Sequence, residues 1–403
     1  MSFNRQGLVF CLSTLIVFFL METASAKPTK ILADTLFLKA MGITPLASDE
    51  ELHLSVAEVS EYQASTLSHS AHRFGKCGGF EQLPDSYDAN ENFEFLRFQK
   101  SQAQAFQFLS ETIPHIPKQA AIESAVHQVS EDNLRSTVQW LSQFPSRYHK
   151  GPNNNQPVEE LAQRARQMLQ GLKYPYVVET ISHTKTPQKS VHVRLQGKER
   201  PHEVVVLGGH LDSIANWGFG RAPGADDNAS GSSNLLEALR IVSLQEQPSR
   251  SIDFFWYAGE EIGLVGSSEI AQTYGQNKIE VVGVLQLDMT LFPGEGELIV
   301  GDMTDFTNPW LRGYARALND HYIGAQWRED QCGYGCSDHA SWHRQGYPTI
   351  MPFEATFQSM NQNIHTADDV VSPQLNFKHS ASFTKLAVAF ALDLSNSTLK
   401  PTF

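Results

Sequence analysis

The chain has 403 residues, of which 41% are hydrophobic and 19% are charged, and its formal net charge is −13 at pH 7. This composition is typical of a globular protein with a sizeable core and excludes a disordered chain or a coiled coil. The negative charge opposes binding to nucleic acid or to an anionic membrane surface, so we expect neither as a partner.

The first 26 residues have the pattern of a secretory signal peptide. Arg5 precedes an apolar run over residues 8–21, and an Ala-Ser-Ala sequence at 24–26 supplies the small residues of a cleavage site. The apolar run is shorter than the ~20 residues that a membrane-spanning helix needs, which disfavours an uncleaved anchor. We therefore predict a secreted protein, extracellular or periplasmic, once residues 1–26 are removed.

The next stretch, residues 27–118, is polar and carries no recognisable catalytic pattern. A clear helical pattern begins only at Ser130, a typical capping residue. Leu134, Val138 and Leu141 follow it at helical spacing. We therefore expect a folded domain to begin near this point.

Beyond this helix, strands alternate with helices, which indicates an α/β protein built on a layered sheet. The predicted strands span residues 176–181, 191–195, 204–207, 252–257, 281–287 and 349–353. The predicted helices span residues 158–172, 232–244, 267–274 and 378–394.

Three of these strands run into side chains that can bind a metal ion. One leads to His210, the next to the neighbours Glu260 and Glu261, and the third to Asp288. Ligands of open α/β sheets gather outside the carboxyl ends of the strands. The shared position predicts a metal site, although each residue alone would more often be a loop acid or a structural histidine.

Two motifs suggest individual roles. Asp212 follows His210 by two residues, so its carboxylate can orient the imidazole. The segment 222–231, APGADDNASG, places Asp226 and Asp227 in a turn of small residues, which lets the backbone approach a pair of metal ions. A carboxylate can bridge two cations, but the spacing does not distinguish between these two aspartates, and an ordinary helix cap is the alternative.

The adjacent glutamates can divide two tasks between them. Because their side chains must diverge, one of Glu260 and Glu261 can bind a metal while the other faces a water molecule. Zinc lowers the pKa of its water to about 7, and a carboxylate can carry the proton to a leaving amine. His365, in NIHTADDV, completes a set of two histidines and three carboxylates. That set suffices for two zinc sites with a shared bridge, although manganese or cobalt would also accept these ligands.

In their order and spacing, the motifs resemble those of the secreted bacterial leucyl aminopeptidases of the co-catalytic di-zinc family. They are GGHLDS, APGADDNASG, AGEE, LQLDM, CGYGCSDHASWH, MPFEATF and NIHT, and they match over residues 125–395. The resemblance implies a three-layer, phosphorylase/hydrolase-like α/β fold with a central mixed eight-stranded sheet between helices. It also implies one catalytic domain over residues 119–403, and a propeptide over residues 27–118 that acts as chaperone or inhibitor.

The same resemblance assigns roles at the site, with two Zn²⁺ ions per chain. The implied ligands are Asp226 as the bridge, His210 and Asp288 at one zinc, and Glu261 and His365 at the other. Glu260 is the implied general base, and Asp212 the implied partner of His210. A cis peptide is implied between the bridging Asp226 and the adjoining Asp227.

Cys332 and Cys336 match a disulfide of this family. In the oxidising environment of a secreted protein, a disulfide is expected in preference to two thiolate zinc ligands. The bond would enclose Tyr334, whose hydroxyl is implied to hold the oxyanion of the tetrahedral intermediate. Simple packing of Tyr334 against the disulfide is the alternative. Cys11 falls in the predicted signal peptide and Cys77 in the predicted propeptide.

The positions that line the family's pocket for the first side chain are apolar here, although core packing would also account for each of them. They are Met289, Met351, Phe353, Phe357, Met360 and Ile364. We therefore expect a monomeric enzyme that acts on peptide or protein N-termini with Leu, Met or Phe first. A carboxypeptidase or deacylase on the same scaffold, and a metal-free binding domain, are the alternative functions.

Overall fold

The computed structural model describes residues 28–71, 74, 76, 79–84, 87–90, 93–98, 116–215, 218, 220–296 and 298–401. The predicted signal peptide and Cys77 lie outside these residues. Among the helices in the described parts of the chain, none is long and apolar enough to cross a lipid bilayer.

The N-terminal region has a folded structure that the sequence analysis did not predict. Its strands and helices are β1 (Thr29–Asp34), α1 (Thr35–Ala40), β2 (Ala47–Asp49), β3 (Leu54–Val59), α2 (Glu61–Ala71) and β4 (Phe80–Gln82). The strands pair antiparallel in the order β2-β3-β1-β4. Alternate residues of β1, Ile31 and Ala33, pack with Phe37 of α1 and Leu67 of α2. The strands are short and α2 is rich in polar residues, which hides this small core in the sequence.

The principal sheet of the following domain has six strands. They are β5 (Tyr176–Ile181), β6 (Ser190–Leu195), β7 (Arg200–His210), β8 (Arg250–Tyr257), β9 (Glu280–Gln286) and β12 (Thr349–Ile350). Their order is β12-β9-β7-β8-β6-β5. The four strands from β12 to β8 run parallel, and β6 and β5 complete the sheet by antiparallel pairing.

A second sheet adjoins the first. It consists of β10 (Ile299–Met303), β11 (Gln326–Asp330) and β13 (Pro352–Phe353) in the order β11-β10-β13. The predicted strand 349–353 is therefore divided: its first part pairs with β9 and its last part with β10. Pro352 has no N–H to donate, which suits an interruption at this point. The mixed α/β fold is confirmed, but its strands form two sheets instead of one eight-stranded sheet.

Helices cover both faces of the six-stranded sheet. They are α3 (Ala120–Val126), α4 (Glu131–Ser142), α5 (Gln156–Met168), α6 (Ala229–Ser243), α7 (Val265–Gln276), α8 (Pro309–Tyr322), α9 (His339–His343) and α10 (Phe377–Asn396). The predicted start of α4 is confirmed, because the Ser130 hydroxyl accepts a hydrogen bond from the Asn133 backbone N–H at 3.2 Å.

The alternation of side chains along β7 produces the three layers. Val205 and Leu207 belong to the large core that contains α6 and α10. Val204 and Val206 point to the opposite face and pack in the core formed with α7 and α9. A strand that is buried on both faces has a nearly continuous apolar sequence, and β7 is such a strand.

Because β7, β8 and β9 are parallel, their carboxyl ends meet at one edge of the sheet. His210 is the last residue of β7, while Glu260 and Asp288 lie shortly after the ends of β8 and β9. The expected convergence of these side chains at a single edge is thus built into the topology.

Candidate metal centre

Five buried side chains form two overlapping groups at this edge. His210, Asp227 and Asp288 form one group, and Asp227, Glu261 and His365 form the other. Within each group, the atoms able to bind a metal lie within 4.8 Å of one another. Each group therefore contains one histidine and one carboxylate of its own, and the two groups share Asp227.

The two oxygens of Asp227 are directed to different histidines. Oδ1 lies 3.1 Å from Nε2 of His210, and Oδ2 lies 3.1 Å from Nε2 of His365. Nε2 of His210 is also 3.2 Å from Oδ1 of Asp288, and Nε2 of His365 is 2.7 Å from Oε2 of Glu261. This is the arrangement that a carboxylate bridging two cations requires.

The choice of Asp226 as the bridge is therefore corrected, since Asp226 is in neither group. Its carboxylate accepts hydrogen bonds of 3.0 Å from the Leu291 backbone N–H and from Nδ2 of Asn361. The expected position of the cis peptide is wrong by the same single residue, because the bond lies between Asp227 and Asn228. The two aspartates are neighbours of the same type, so spacing alone could not separate them.

The charge of the site fits a pair of divalent cations. Burial raises the pKa of Glu261 to about 7, and the negative charge of Asp227 adds to this rise while His365 opposes it. Burial disfavours the charged form of His365, but the carboxylates of Glu261 and Asp227 raise its pKa to about 10. Buried like charges need opposite charges beside them. Two imidazole nitrogens and three carboxylates are a suitable donor set for zinc.

Glu260 is buried next to these groups without belonging to either of them. Burial raises the pKa of its carboxyl well above the ordinary value, His210 opposes the shift, and Asp288 adds to it. The structure thus separates the adjacent glutamates: Glu261 is with the ligand atoms and Glu260 is not.

Asp212 lies beside His210 and also contacts the backbone that carries the two glutamates. Its Oδ1 is 3.6 Å from Nδ1 of His210, whereas its backbone oxygen is closer, at 3.2 Å. The carboxylate also accepts hydrogen bonds from the backbone N–H groups of Glu260 at 3.1 Å and Glu261 at 3.3 Å. Asp212 therefore fixes the backbone that carries both glutamates.

Two polar residues that support the ligands were not predicted from the sequence. Ser337 donates a hydrogen bond of 2.5 Å to Oδ2 of Asp288. The Asp369 carboxylate accepts hydrogen bonds of 3.0 Å from the backbone N–H groups of Asp226 and Asp227. Both residues lie in motifs quoted above, CGYGCSDHASWH and NIHTADDV, so their position in those motifs was the available signal.

The predicted disulfide between Cys332 and Cys336 is present, with the two Cα atoms 6.3 Å apart. Tyr334, between them, is buried in an apolar cluster that we call the pocket cluster. This cluster also contains Met289, Met351, Phe353, Met360 and Ile364, with Phe357 packed against it. The structure thus brings all six predicted pocket residues together beside the metal ligands.

Side chains of the N-terminal region belong to the same pocket cluster. They are Leu32, Leu54, Val56, Leu83, Phe93 and Leu96. Polar contacts accompany them: the Ser68 hydroxyl donates to the Glu261 carbonyl at 2.8 Å, and the Gln82 backbone N–H donates to the Gly263 carbonyl at 2.9 Å. The N-terminal region thus lies directly on the loop that carries a candidate ligand.

Comparison with known proteins agrees with this description. The profile of Peptidase family M28 matches residues 190–391. A probable leucine aminopeptidase from the fungus Arthroderma benhamiae is 37% identical over 294 residues, which are 71% of this chain and 79% of that protein. Since this relative is fungal, the bacterial part of the predicted resemblance is not confirmed.

Two solved structures have a similar fold over most of the chain. The LapA aminopeptidase of Legionella pneumophila has 27% sequence identity and a TM-score of 0.77, covering 92% of this chain and 100% of that one. LapB of the same organism has 26% identity with the same TM-score and coverage. By its sequence profile, its relatives and its fold, the chain belongs to peptidase family M28.

Proposed function

We propose that this peptidase is a secreted di-zinc aminopeptidase that removes large apolar residues from the N-termini of peptides. One observation carries the proposal: Asp227 is shared by two ligand groups, each completed by one histidine and one carboxylate. The names of its relatives, which include leucine aminopeptidases, support the reaction and the preference for leucine.

The proposed zinc ligands are His210, Asp227 and Asp288 for one ion and Asp227, Glu261 and His365 for the other. When bound, the ions would supply a water of lowered pKa and polarise the scissile carbonyl. Glu260 is the proposed general base, because it is buried beside the ligands yet is not one of them. Its raised pKa suits a carboxylate that takes a proton from water and returns it to the leaving amine.

The pocket cluster supports the proposed substrate preference. Its six predicted pocket residues are apolar and lie together, so they form a favourable surface for an apolar first side chain. None of the six carries a positive charge that could bind the carboxylate of a C-terminal residue. This argues for an aminopeptidase over a carboxypeptidase or deacylase. Tyr334 is in the same cluster, and we keep its predicted contact with the oxyanion as part of the proposal.

Blocking the substrate's amino group tests this choice. We expect the kcat/KM for hydrolysis of leucine p-nitroanilide to be about 100-fold or more above that for its N-acetylated form. A site that binds the free amino group of the substrate rejects an analogue in which that group is blocked. Zinc analysis of the same sample should give two ions per chain. Release of acetate from the acetylated substrate would identify a deacylase, and less than one zinc per chain would favour a binding domain.

We further propose that residues 27–118 are an inhibitory propeptide. The N-terminal side chains in the pocket cluster occupy apolar surface that the substrate's first side chain would use. A buried ion pair of 2.6 Å joins Glu81 to Arg344, and the Lys76 ammonium lies 4.9 Å from the centre of the Tyr334 ring. The apolar and the charged contacts both hold the N-terminal region over the proposed active site.

Removal of this region should therefore activate the enzyme. A specific protease site placed among residues 100–112 allows the same preparation to be assayed before and after cleavage and removal of the N-terminal part. We expect kcat/KM for leucine p-nitroanilide to rise about tenfold or more after cleavage. In the uncleaved chain, the apparent affinity for substrate is reduced because only the fraction of molecules with an uncovered pocket can bind it. The zinc content should stay constant. A chain beginning at Lys27 that is already fully active would contradict the inhibitory role.

A further inference from the structure

We propose that Arg147 is a positioning residue for the metal centre, which holds the loop after His210 and the loop before Asp227 at a fixed separation. The inference rests on the proposed zinc-binding function of these residues. Arg147 follows α4 and lies outside residues 190–391, the part of the chain that matches the family profile.

The guanidinium of Arg147 is fully buried and binds carbonyl oxygens from different parts of the chain. Its Nε donates to the Leu211 carbonyl at 2.8 Å, directly after His210. Its Nη1 and Nη2 donate to the carbonyls of Pro223 at 2.5 Å and Gly224 at 2.9 Å, shortly before Asp227. One rigid, planar group thus connects the loop that follows His210 with the loop that leads to Asp227.

The backbone around Arg147 strengthens the same connection. Its N–H lies 3.2 Å from the Ser213 hydroxyl, which donates to the Ala222 carbonyl at 2.8 Å. At Gly224, where φ is +51°, an added Cβ would lie 2.4 Å from the Asp227 carbonyl oxygen, 2.7 Å from Cβ of Ser213 and 2.8 Å from Nη2 of Arg147. Glycine is therefore suited to this position both by its backbone conformation and by the close approach of these three groups.

The charge of Arg147 also suits this position. Burial lowers its pKa to about 10, while the carboxylates of Asp369, Asp212 and Asp227 oppose the shift, so the group stays positive at neutral pH. A permanent positive charge beside the acidic ligands reduces their mutual repulsion before any zinc is bound. Lysine would keep the charge but could not bind the carbonyls in the same forked geometry.

The decisive experiment measures zinc affinity in Arg147→Lys. Zinc would be removed from the full chain and titrated back against a competing chelator, and the unfolding temperature of the zinc-free protein would be measured separately. We expect the zinc Kd to rise about 10- to 100-fold, the size of effect seen when a group that orients metal ligands is lost. The absorption spectrum of the cobalt-substituted variant should also differ from that of the wild type, because the ligand geometry is altered.

Arg250→Lys is the matched control. Arg250 is also fully buried, and it donates to Glu203 and to the Leu394 carbonyl, both at 2.6 Å. It begins β8, at the opposite end of the sheet from the ligands. We expect this variant to lose stability in the zinc-free form while its zinc Kd stays within about twofold of the wild type, because no ligand depends on it.

Equal zinc affinity in Arg147→Lys and the wild type would overturn the proposal, as would an equal loss in Arg147→Lys and Arg250→Lys. If Arg147→Lys fails to fold, Ser213→Ala provides the test, since it removes a link between the same loops and leaves the guanidinium in place. We expect a smaller rise in its zinc Kd, and an unchanged Kd would count against the proposal. A wild type that binds two zinc ions but cleaves no peptide would refute the proposed function alone.

Discussion

Replacement of Glu260 by Gln should leave two zinc ions per chain and reduce kcat by a factor of about 10² to 10⁴, the contribution of a general base. The substitution keeps the size of the side chain but removes its ability to accept a proton. Zinc analysis and kinetics with leucine p-nitroanilide, on the same preparation freed of its N-terminal region, measure both quantities.

The adjacent Glu261 provides the control for this experiment. Its carboxylate lies 2.7 Å from His365 in one ligand group, whereas Glu260 is in neither group. Glu261→Gln should therefore lose zinc as well as activity. Near-normal turnover in Glu260→Gln, or loss of its zinc, would refute the separation of roles between the two residues.

The second large effect is expected at Asp227. Asp227→Asn exchanges one of two anionic oxygens for an NH₂ group, which cannot bind a cation, so the bridge between the two sites is lost. We expect less than one zinc ion per chain after dialysis and a loss of activity of about 10³-fold or more, since the proposed mechanism uses both ions. Metal analysis and the aminopeptidase assay test this directly.

Asp226→Asn is the matched control, one residue away and of the same type. Asp226 accepts hydrogen bonds from the Leu291 N–H and from Asn361, and burial raises its pKa. An asparagine can still accept the bond from Leu291. We expect this variant to keep both zinc ions. The opposite pattern, with zinc lost from Asp226→Asn and kept by Asp227→Asn, would restore the original prediction from the sequence.

These two residues show where sequence reasoning reached its limit. Parallel strands bring His210, Glu261 and Asp288 to one edge of a sheet, and this could be predicted from strand patterns alone. The choice between Asp226 and Asp227 as the proposed bridge depends on the backbone conformation of one turn, and the cis peptide there lies between Asp227 and Asn228. Neither spacing nor residue type reports such a conformation, and the resemblance assigned it to the wrong bond.

Other features were missed because they exist only in tertiary structure. Arg147 lies more than 60 residues before Leu211, to which it donates, and the residues between them show no pattern that connects the two. The N-terminal sheet was missed for a different reason, since its strands β2 and β4 have three residues each. Short strands give too few alternations to be told from an irregular polar segment.

In the proposed propeptide role, the contact of the N-terminal region with the pocket cluster determines where the enzyme becomes active. While the chain is continuous, this region would act as a tethered ligand, whose effective concentration at the site does not depend on the bulk concentration of the protein. Cutting the chain replaces that value with the bulk concentration of the protein. Because we propose a secreted enzyme, dilution into the surroundings of the cell would promote dissociation after cleavage, so activity would increase with distance from the cell.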